Sequence, residues 1–196
     1  MSRPGPLLEQ DMSAESIDII PVNDALTLRA VDEGFVSALY ALVQKNKDWL
    51  QGSLNWPQTV NDESDTRKNV QGNVMLHQRG YAKMYLIFAQ ETLIGVISFN
   101  LIEPLNKTAY IGYWLDQDQQ GKGVMSQALQ ALMAHYVARG ELRRFVIKCR
   151  VANTASNELA RRNGFTLEGC LKQAEFLNGS YDDQNIYARI VDPDSE

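Results

Sequence analysis

Residues 108–131 read TAYIGYWLDQDQQGKGVMSQALQA, and this stretch decides the fold. Ala109, Ile111 and Tyr113 alternate with Tyr110, Gly112 and Trp114 at the two-residue period of a strand. The polar run Gln119-Gln120-Gly121-Lys122-Gly123 follows. Its two glycines carry no Cβ, so the backbone can turn sharply there and lie close to a ligand. From about Val124 the apolar spacing becomes helical, through Ala128, Leu132 and Tyr136. A helix starting there aims its unpaired N–H groups and the positive end of its dipole back at the turn. Strand, glycine turn and helix start together predict an anion-binding cradle suited to a diphosphate. An ordinary strand–loop–helix connection would share the spacing, so the flanking elements carry the assignment.

Two common nucleotide motifs fail. Gly121-Lys122-Gly123-Val124-Met125-Ser126 fits G-x-G-x-x-S, but a dinucleotide fold also wants an acidic residue about 20 positions on to hold a ribose. The next predicted strand, Arg144–Val151, runs into Ala152-Asn153 with no carboxylate. A Walker loop needs Ser or Thr after its lysine, and Lys122 is followed by Gly123.

The same residues resemble the acyl-CoA pyrophosphate loop of the GNAT N-acetyltransferases. Asn153-Thr154-Ala155-Ser156-Asn157, with Ala160 and Asn163-Gly164-Phe165, is similar to that family's second signature. The resemblance runs from about Leu26 to Val191 and is strongest to the branch that acetylates ribosomal proteins. It departs at Asp118, three residues before Gly121, where the family pattern has Gln or Arg. Gln119 or Gln120 is then left to supply a side-chain contact, while the backbone amides need no particular side chain. The resemblance implies a single α/β (α+β) domain built on a mixed, mostly antiparallel sheet flanked by helices. It also implies acetyl-CoA as cosubstrate and a homodimer. The acceptor it implies is the N-terminal serine amine of a large-subunit ribosomal stalk protein. Two alternatives stay open: acetylation of a small amine such as a polyamine or antibiotic, and a non-catalytic acyl-CoA-binding module.

Composition fits one substantial core. The chain has 196 residues, 44% of them hydrophobic, and a formal net charge of −5. No apolar run approaches 18 residues, so no membrane association is expected. The acidic balance and the lack of a Lys/Arg run argue against nucleic acid. Two cysteines without metal-ligand spacing fit a reducing cytoplasm, and no metal site is expected. Residues 1–17 read as a disordered leader or expression scar, leaving 18–196 as the domain.

Other elements follow from pattern. Leu26–Ala30 alternates as a strand, and Asp32 can cap a helix with Phe35, Val36, Leu39, Leu42 and Val43 on one stripe. The chain breaks at Trp56-Pro57, and a second helix spans about Glu63 to Gln78. Tyr85–Ala89 and Leu93–Asn100 read as strands around Gln90-Glu91-Thr92. Gly140 ends the central helix, and Phe145, Ile147, Cys149 and Val151 share a face of the next strand. Asn178-Gly179 signals a hairpin between Leu171–Leu177 and Asn185–Ile190.

The expected chemistry needs a neutral amine, a polarised thioester and a proton for the leaving thiolate. Backbone groups near Trp114 and Leu115 are expected to hold the pantetheine arm, the resemblance implying that the strand splays there. The cradle is expected from Gln120, Gly121, Lys122, Gly123, Val124, Met125 and Ser126, with Asn153 holding pantetheine amides or ending its strand in a turn. Ser156, in the first turn of a helix, is the expected general acid; a serine there can also be simply a cap. Glu175 is the expected base, because a mid-strand carboxylate is disfavoured unless it meets water or a polar site. A solvated edge glutamate is the plain alternative for that position; Glu103, before Pro104, is the weaker alternative base, and a water chain could replace either. Cys149 is weighed as a covalent acceptor, against the usual inertness of buried cysteines. His77 and His135 fall on helices at no pairing distance, and Trp49, Trp56 and Tyr81 could line a trough or pack in the core.

Overall fold

The computed structural model describes residues 18–193, so the expectation for 1–17 lies outside the described residues. Eight strands form one sheet in the order β1-β2-β3-β4-β5-β6-β8-β7. They are β1 (Ile19–Pro21), β2 (Leu26–Ala30), β3 (Lys83–Ala89), β4 (Thr92–Glu103), β5 (Thr108–Leu115), β6 (Arg144–Arg150), β7 (Thr166–Leu177) and β8 (Ser180–Ile190). Every neighbouring pair is antiparallel except β5 and β6. That exception follows from the connection: a strand can return parallel to its neighbour only through a long crossover, here the helix α3 (Val124–Ala138).

Helices α1 (Val36–Leu50) and α2 (Glu63–Arg79) cover one face. Leu39, Leu42 and Val43 of α1 pack with Val70 of α2 against Leu86, Phe88 and Val96 of the sheet. On the other face, Ala128, Leu129 and Leu132 of α3 are fully buried against Phe99, Phe145 and Ile147. A short fourth helix, α4 (Thr154–Arg162), adds Leu159 and Ala160 to this larger core. No helix among the described residues is long and apolar enough to cross a membrane.

Local chemistry sets the boundaries. Asp62 caps α2 in a reciprocal capping box with Asp65, and Gly80 ends it at φ 75°. Asp32 does cap, but it caps the short 3-10 turn Glu33–Phe35, and α1 begins only at Val36. Asn178 and Gly179, at φ 50° and 84°, make the tight turn their dipeptide predicts. Both flanking strands end as expected, at Leu177 and Ile190, but begin well before the expected starts, at Thr166 and Ser180; much of β7 is exposed and shows no apolar alternation to read. Strand β1 was not anticipated: three residues are too few for a period. Val151 departs from the expected buried face, lying beyond the end of β6 and 51% exposed.

His77 is a structural residue. Its Nδ1 accepts the Met84 N–H, and burial, reinforced by Lys83, pushes its pKa down to about 4. His135 stacks edge-on against Tyr136.

Candidate active site

Strands β5 and β6 are joined by three rungs only, Thr108↔Arg144, Ala109↔Phe145 and Tyr110↔Val146. Beyond Tyr110, β5 still pairs with β4 as far as Leu115, and β6 still pairs with β8 as far as Arg150. The two strands therefore diverge into a wedge, as the resemblance implied. A cleft of about 960 Å³ fills it, lined by Ile111–Leu115 on one side and Ile147–Arg150 on the other.

One end of the cleft is the glycine turn. Gly121 and Gly123 have φ of 76° and 73°, the left-handed region where a side chain is strained. Gly123 is itself the N-cap of α3 and offers no side chain, so no side chain caps this helix. The first N–H groups of α3 are thus available to an anion, in the way helix starts hold phosphates. Trp114, Leu115, Gln119, Gln120, Gly121, Gly123, Val124, Met125 and Ser126 all line the cleft; Lys122 is exposed and does not. Gln120 Nε2 donates to the Leu115 carbonyl at 3.5 Å, folding back on the strand end. The Ser126 hydroxyl accepts from Asn163 Nδ2 at 3.1 Å.

The other end is built by α4. Asn153 Oδ1 accepts the Ser156 N–H at 3.2 Å, so Asn153 caps this helix and the Ser156 hydroxyl is left for other work. The phenol of Tyr113 donates to Ser156 Oγ at 2.9 Å. Burial pushes the Tyr113 pKa up to about 12, so the phenol keeps its proton. Asn157, 3% exposed, anchors the same turn. Its Nδ2 donates to the carbonyls of Asn153 and Arg150, and its Oδ1 accepts from Asn185 and Tyr187. Serine 156 is therefore held to β6 and β8 through its neighbour. Sequence reasoning did not single out Tyr113 as the hydrogen-bond partner of Ser156, nor Asn157 as the anchor of this turn; a hydroxyl on the splayed half of β5 was the only signal for the first.

Glu175 also reaches the cleft, from the far side of the sheet edge. A register shift between Leu171 and Glu175, with Gln173 at φ 49°, kinks β7 and re-aims the carboxylate. It accepts from Gln184 Nε2 at 3.3 Å. Cys149 lies nearby, 6% exposed; burial first, and the Glu175 charge second, push its thiol up to about 11. A thiol so protonated is a poor nucleophile at neutral pH. Glu103 sits away from the cleft, accepting from Asn106 at the end of β4.

A second cavity, of about 540 Å³, lies between α1, α2 and the sheet. Leu39, Val43, Val60, Met84 and Val96 form its apolar wall, and Asp65, Asn69 and Asn73 of α2 its polar rim. The Trp56 and Trp114 rings stand in it 6.1 Å apart. It meets the first cleft at Leu54, Asn100, Gly112, Tyr113 and Trp114. The aromatics considered from sequence thus separate: Trp49 lines the first cleft, Trp56 the second, and Tyr81 neither, at 59% exposed. Among the described residues, no group of three or more His, Cys, Asp or Glu side chains could hold a metal ion.

A protein-family model described as acetyltransferase (GNAT) domain matches residues 25–166. The chain belongs to the GNAT acetyltransferase family. GNAT enzymes use acetyl-CoA, and the wedge with its uncapped helix start is the feature suited to that cosubstrate. Relatives agree at high identity. The ribosomal-protein-serine acetyltransferase of Escherichia coli K12 is 69% identical over 175 residues, covering 89% of this chain and 98% of that protein. A structure of RimL, the ribosomal L7/L12 alpha-N-protein acetyltransferase, in complex with coenzyme A is 68% identical, with a TM-score of 0.89 over 90% of this chain and 100% of that one. In that complex coenzyme A is in a disulfide with one of the enzyme's cysteines. An acetyltransferase of Salmonella typhimurium, described as modifying the N-terminal serine of the 50S subunit protein L7/L12, is 66% identical, with a TM-score of 0.84 over 89% of this chain and all of that one.

Proposed function

We propose that this GNAT enzyme moves the acetyl group of acetyl-CoA to the α-amine of the N-terminal serine of the large-subunit ribosomal stalk protein, L7/L12. The observation that carries the reading is the meeting of the two cavities at Gly112–Trp114, beside the Tyr113–Ser156 hydrogen bond. High identity to relatives described by that activity supports the acceptor.

In this reading acetyl-CoA lies along the wedge, its pyrophosphate on the amides of Gly121–Ser126 and its pantetheine arm beside Trp114, Leu115 and Asn153. The acceptor chain enters through the cavity between α1 and α2. Glu175 takes the proton of the incoming ammonium. The neutral amine attacks the thioester carbonyl, forming the C–N bond as the C–S bond breaks; the Ser156 hydroxyl gives its proton to the departing sulfur and takes back the proton that the new amide nitrogen sheds. Tyr113, donating to Ser156 Oγ, stabilises the oxygen that loses it. Cys149 takes no part in the transfer.

A free α-amine has a pKa near 7.7–8.0 and a lysine side chain near 10.4, so at neutral pH the α-amine offers roughly several hundred times more neutral nucleophile. A peptide beginning with Ser should therefore be acetylated on its α-amine, and the same peptide with a blocked N-terminus and a free Lys should be nearly inert. A site that hydrogen-bonds the serine hydroxyl would also make Ala a poorer first residue. Thiol release with mass spectrometry of the products tests this. Acetyl groups found mainly on lysine, or turnover only of small amines, would refute the assignment.

The active form in this reading is a cytoplasmic homodimer. Support comes from strand β7 at the sheet edge, where Leu167 and Phe176 are 51% and 52% exposed and the Phe176 ring meets exposed Tyr181 at 4.9 Å. Apolar surface on an unpaired edge is usually covered. Two copies would also serve two tails of a dimeric acceptor. Sedimentation should give a dimer at micromolar concentration; a monomer alone would remove the idea.

A further inference from the structure

Helix α1 does more than wall the acceptor cavity. Two consecutive residues on it grip three consecutive residues of the turn that leads into the glycine loop. Lys45 Nζ bonds Asp116 Oδ2 at 2.7 Å and Asp118 Oδ2 at 2.8 Å. Asn46 Oδ1 accepts the Gln117 N–H at 3.0 Å, while its Nδ2 donates to the Leu42 carbonyl. Both anchors are set deep: Asn46 is 3% exposed and the Asp116 side chain 7%. Asp116 is further fixed by its own N–H to the Ile94 carbonyl and by the Asp118 N–H to its Oδ1. Burial works against the Asp116 charge, and the Lys45 ammonium together with the Asp118 N–H and Asn46 outweighs it, holding the carboxyl below its ordinary range.

The arrangement also poses an electrostatic problem. Asp116 and Asp118 place two carboxylates within a few residues of amides that would receive a diphosphate. Like charges so close would weaken its binding unless a cation intervened. Lys45 is the cation bonded to both.

We infer that Lys45 is a positioning residue for acetyl-CoA: with Asn46 it holds the 116–118 turn so that the Gly121–Ser126 amides face the pyrophosphate, and it offsets the two carboxylates beside them. The inference rests on the reading of that loop as the pyrophosphate cradle. It accounts for Asp118 standing where the family pattern has Gln or Arg. The side chain there is turned to α1 and has become part of the loop's support. It also makes α1 a shared element, with Leu39 and Val43 facing the acceptor cavity and Trp49 and Leu50 lining the cosubstrate cleft.

The test is steady-state kinetics with acetyl-CoA varied, together with calorimetric titration of coenzyme A, on Lys45→Met, Lys45→Arg and the double variant Lys45→Met/Asp118→Asn. Losing charge-assisted bonds that orient the loop should raise KM for acetyl-CoA and Kd for coenzyme A by about ten- to a hundredfold in Lys45→Met. The kcat should stay within a few-fold, since the acid and base are untouched. Lys45→Arg should recover most of the affinity, and removing the Asp118 charge should recover part of it. Wild-type affinity in Lys45→Met, or Arg performing no better than Met, would overturn the inference. So would a loss of kcat that tracks a fall in Tm, the mark of a merely structural residue. Gly123→Val is the control that separates the two levels. If it abolishes binding while Lys45→Met does not, only the role of Lys45 fails; if it leaves affinity unchanged, the cradle reading falls as well.

Discussion

Replacing Ser156 by Ala should lower kcat by roughly ten- to ten-thousand-fold, the range that a positioned general acid contributes, with acetyl-CoA affinity barely moved. The substitution removes one oxygen from a helix that keeps its cap, because the cap is the Asn153 carboxamide and not the serine hydroxyl. Asn157 still ties the turn to β6 and β8. A large loss of kcat in a stable protein would thus report chemistry. Cys149→Ala should by contrast keep most of the activity and sequential kinetics, since a buried thiol with its pKa raised to about 11 is not a nucleophile at neutral pH. A trapped acetyl-cysteine at position 149 with ping-pong kinetics would reverse the two roles. A Ser156→Ala enzyme of normal kcat would pass the acid's role to another group, Tyr113 being the nearest hydroxyl.

Gly123→Val should cost acetyl-CoA binding by about a hundredfold or more, the worth of two hydrogen bonds to a charged group. Two effects act together. A branched Cβ at the N-cap of α3 stands where phosphate must approach the amides, and φ of 73° is unfavourable for valine. Inside the protein the added carbon meets only Gln127 Nε2, at an ordinary 3.6 Å. The backbone strain is about 1–2 kcal/mol, small beside the roughly 5–15 kcal/mol of a typical domain. The variant should fold, as circular dichroism would verify. Full coenzyme A affinity in that folded variant would refute the cradle.

The fold was legible wherever one face of an element is buried. Leu26–Ala30, the α3 stripe and Phe145–Ile147–Cys149 are periodic because burial on one side makes them so. The glycine turn before α3 was legible for another reason, since two glycines without Cβ, so close to a helix start, mark a sharp turn, here with φ of 76° and 73°. The outer strands were not. Most of β7 faces solvent and carries a register shift, so its composition follows no period and its start at Thr166 left no mark. Of the residues lining the cleft, Ser156 and Glu175 could be singled out because polar groups at a helix start and in mid-strand call for an explanation. Tyr113 could not, because an aromatic in a strand is unremarkable until the neighbouring strand diverges from it. The grip of Lys45 on Asp116 spans 71 residues of chain, and such a pairing exists only in three dimensions.

The three-rung seam between β5 and β6 has a bearing on folding as well as on chemistry. The sheet is in effect two smaller sheets, β1 to β5 and β6 to β8, joined at a narrow bridge with helix α3 wrapped across it. A ligand seated in the wedge touches both halves and touches them only when they are correctly assembled. Its binding energy is then also cohesion between the halves. The saturated enzyme would open along this line less readily than the empty one, making the seam the part of the molecule whose protection depends most on the supply of acetyl-CoA.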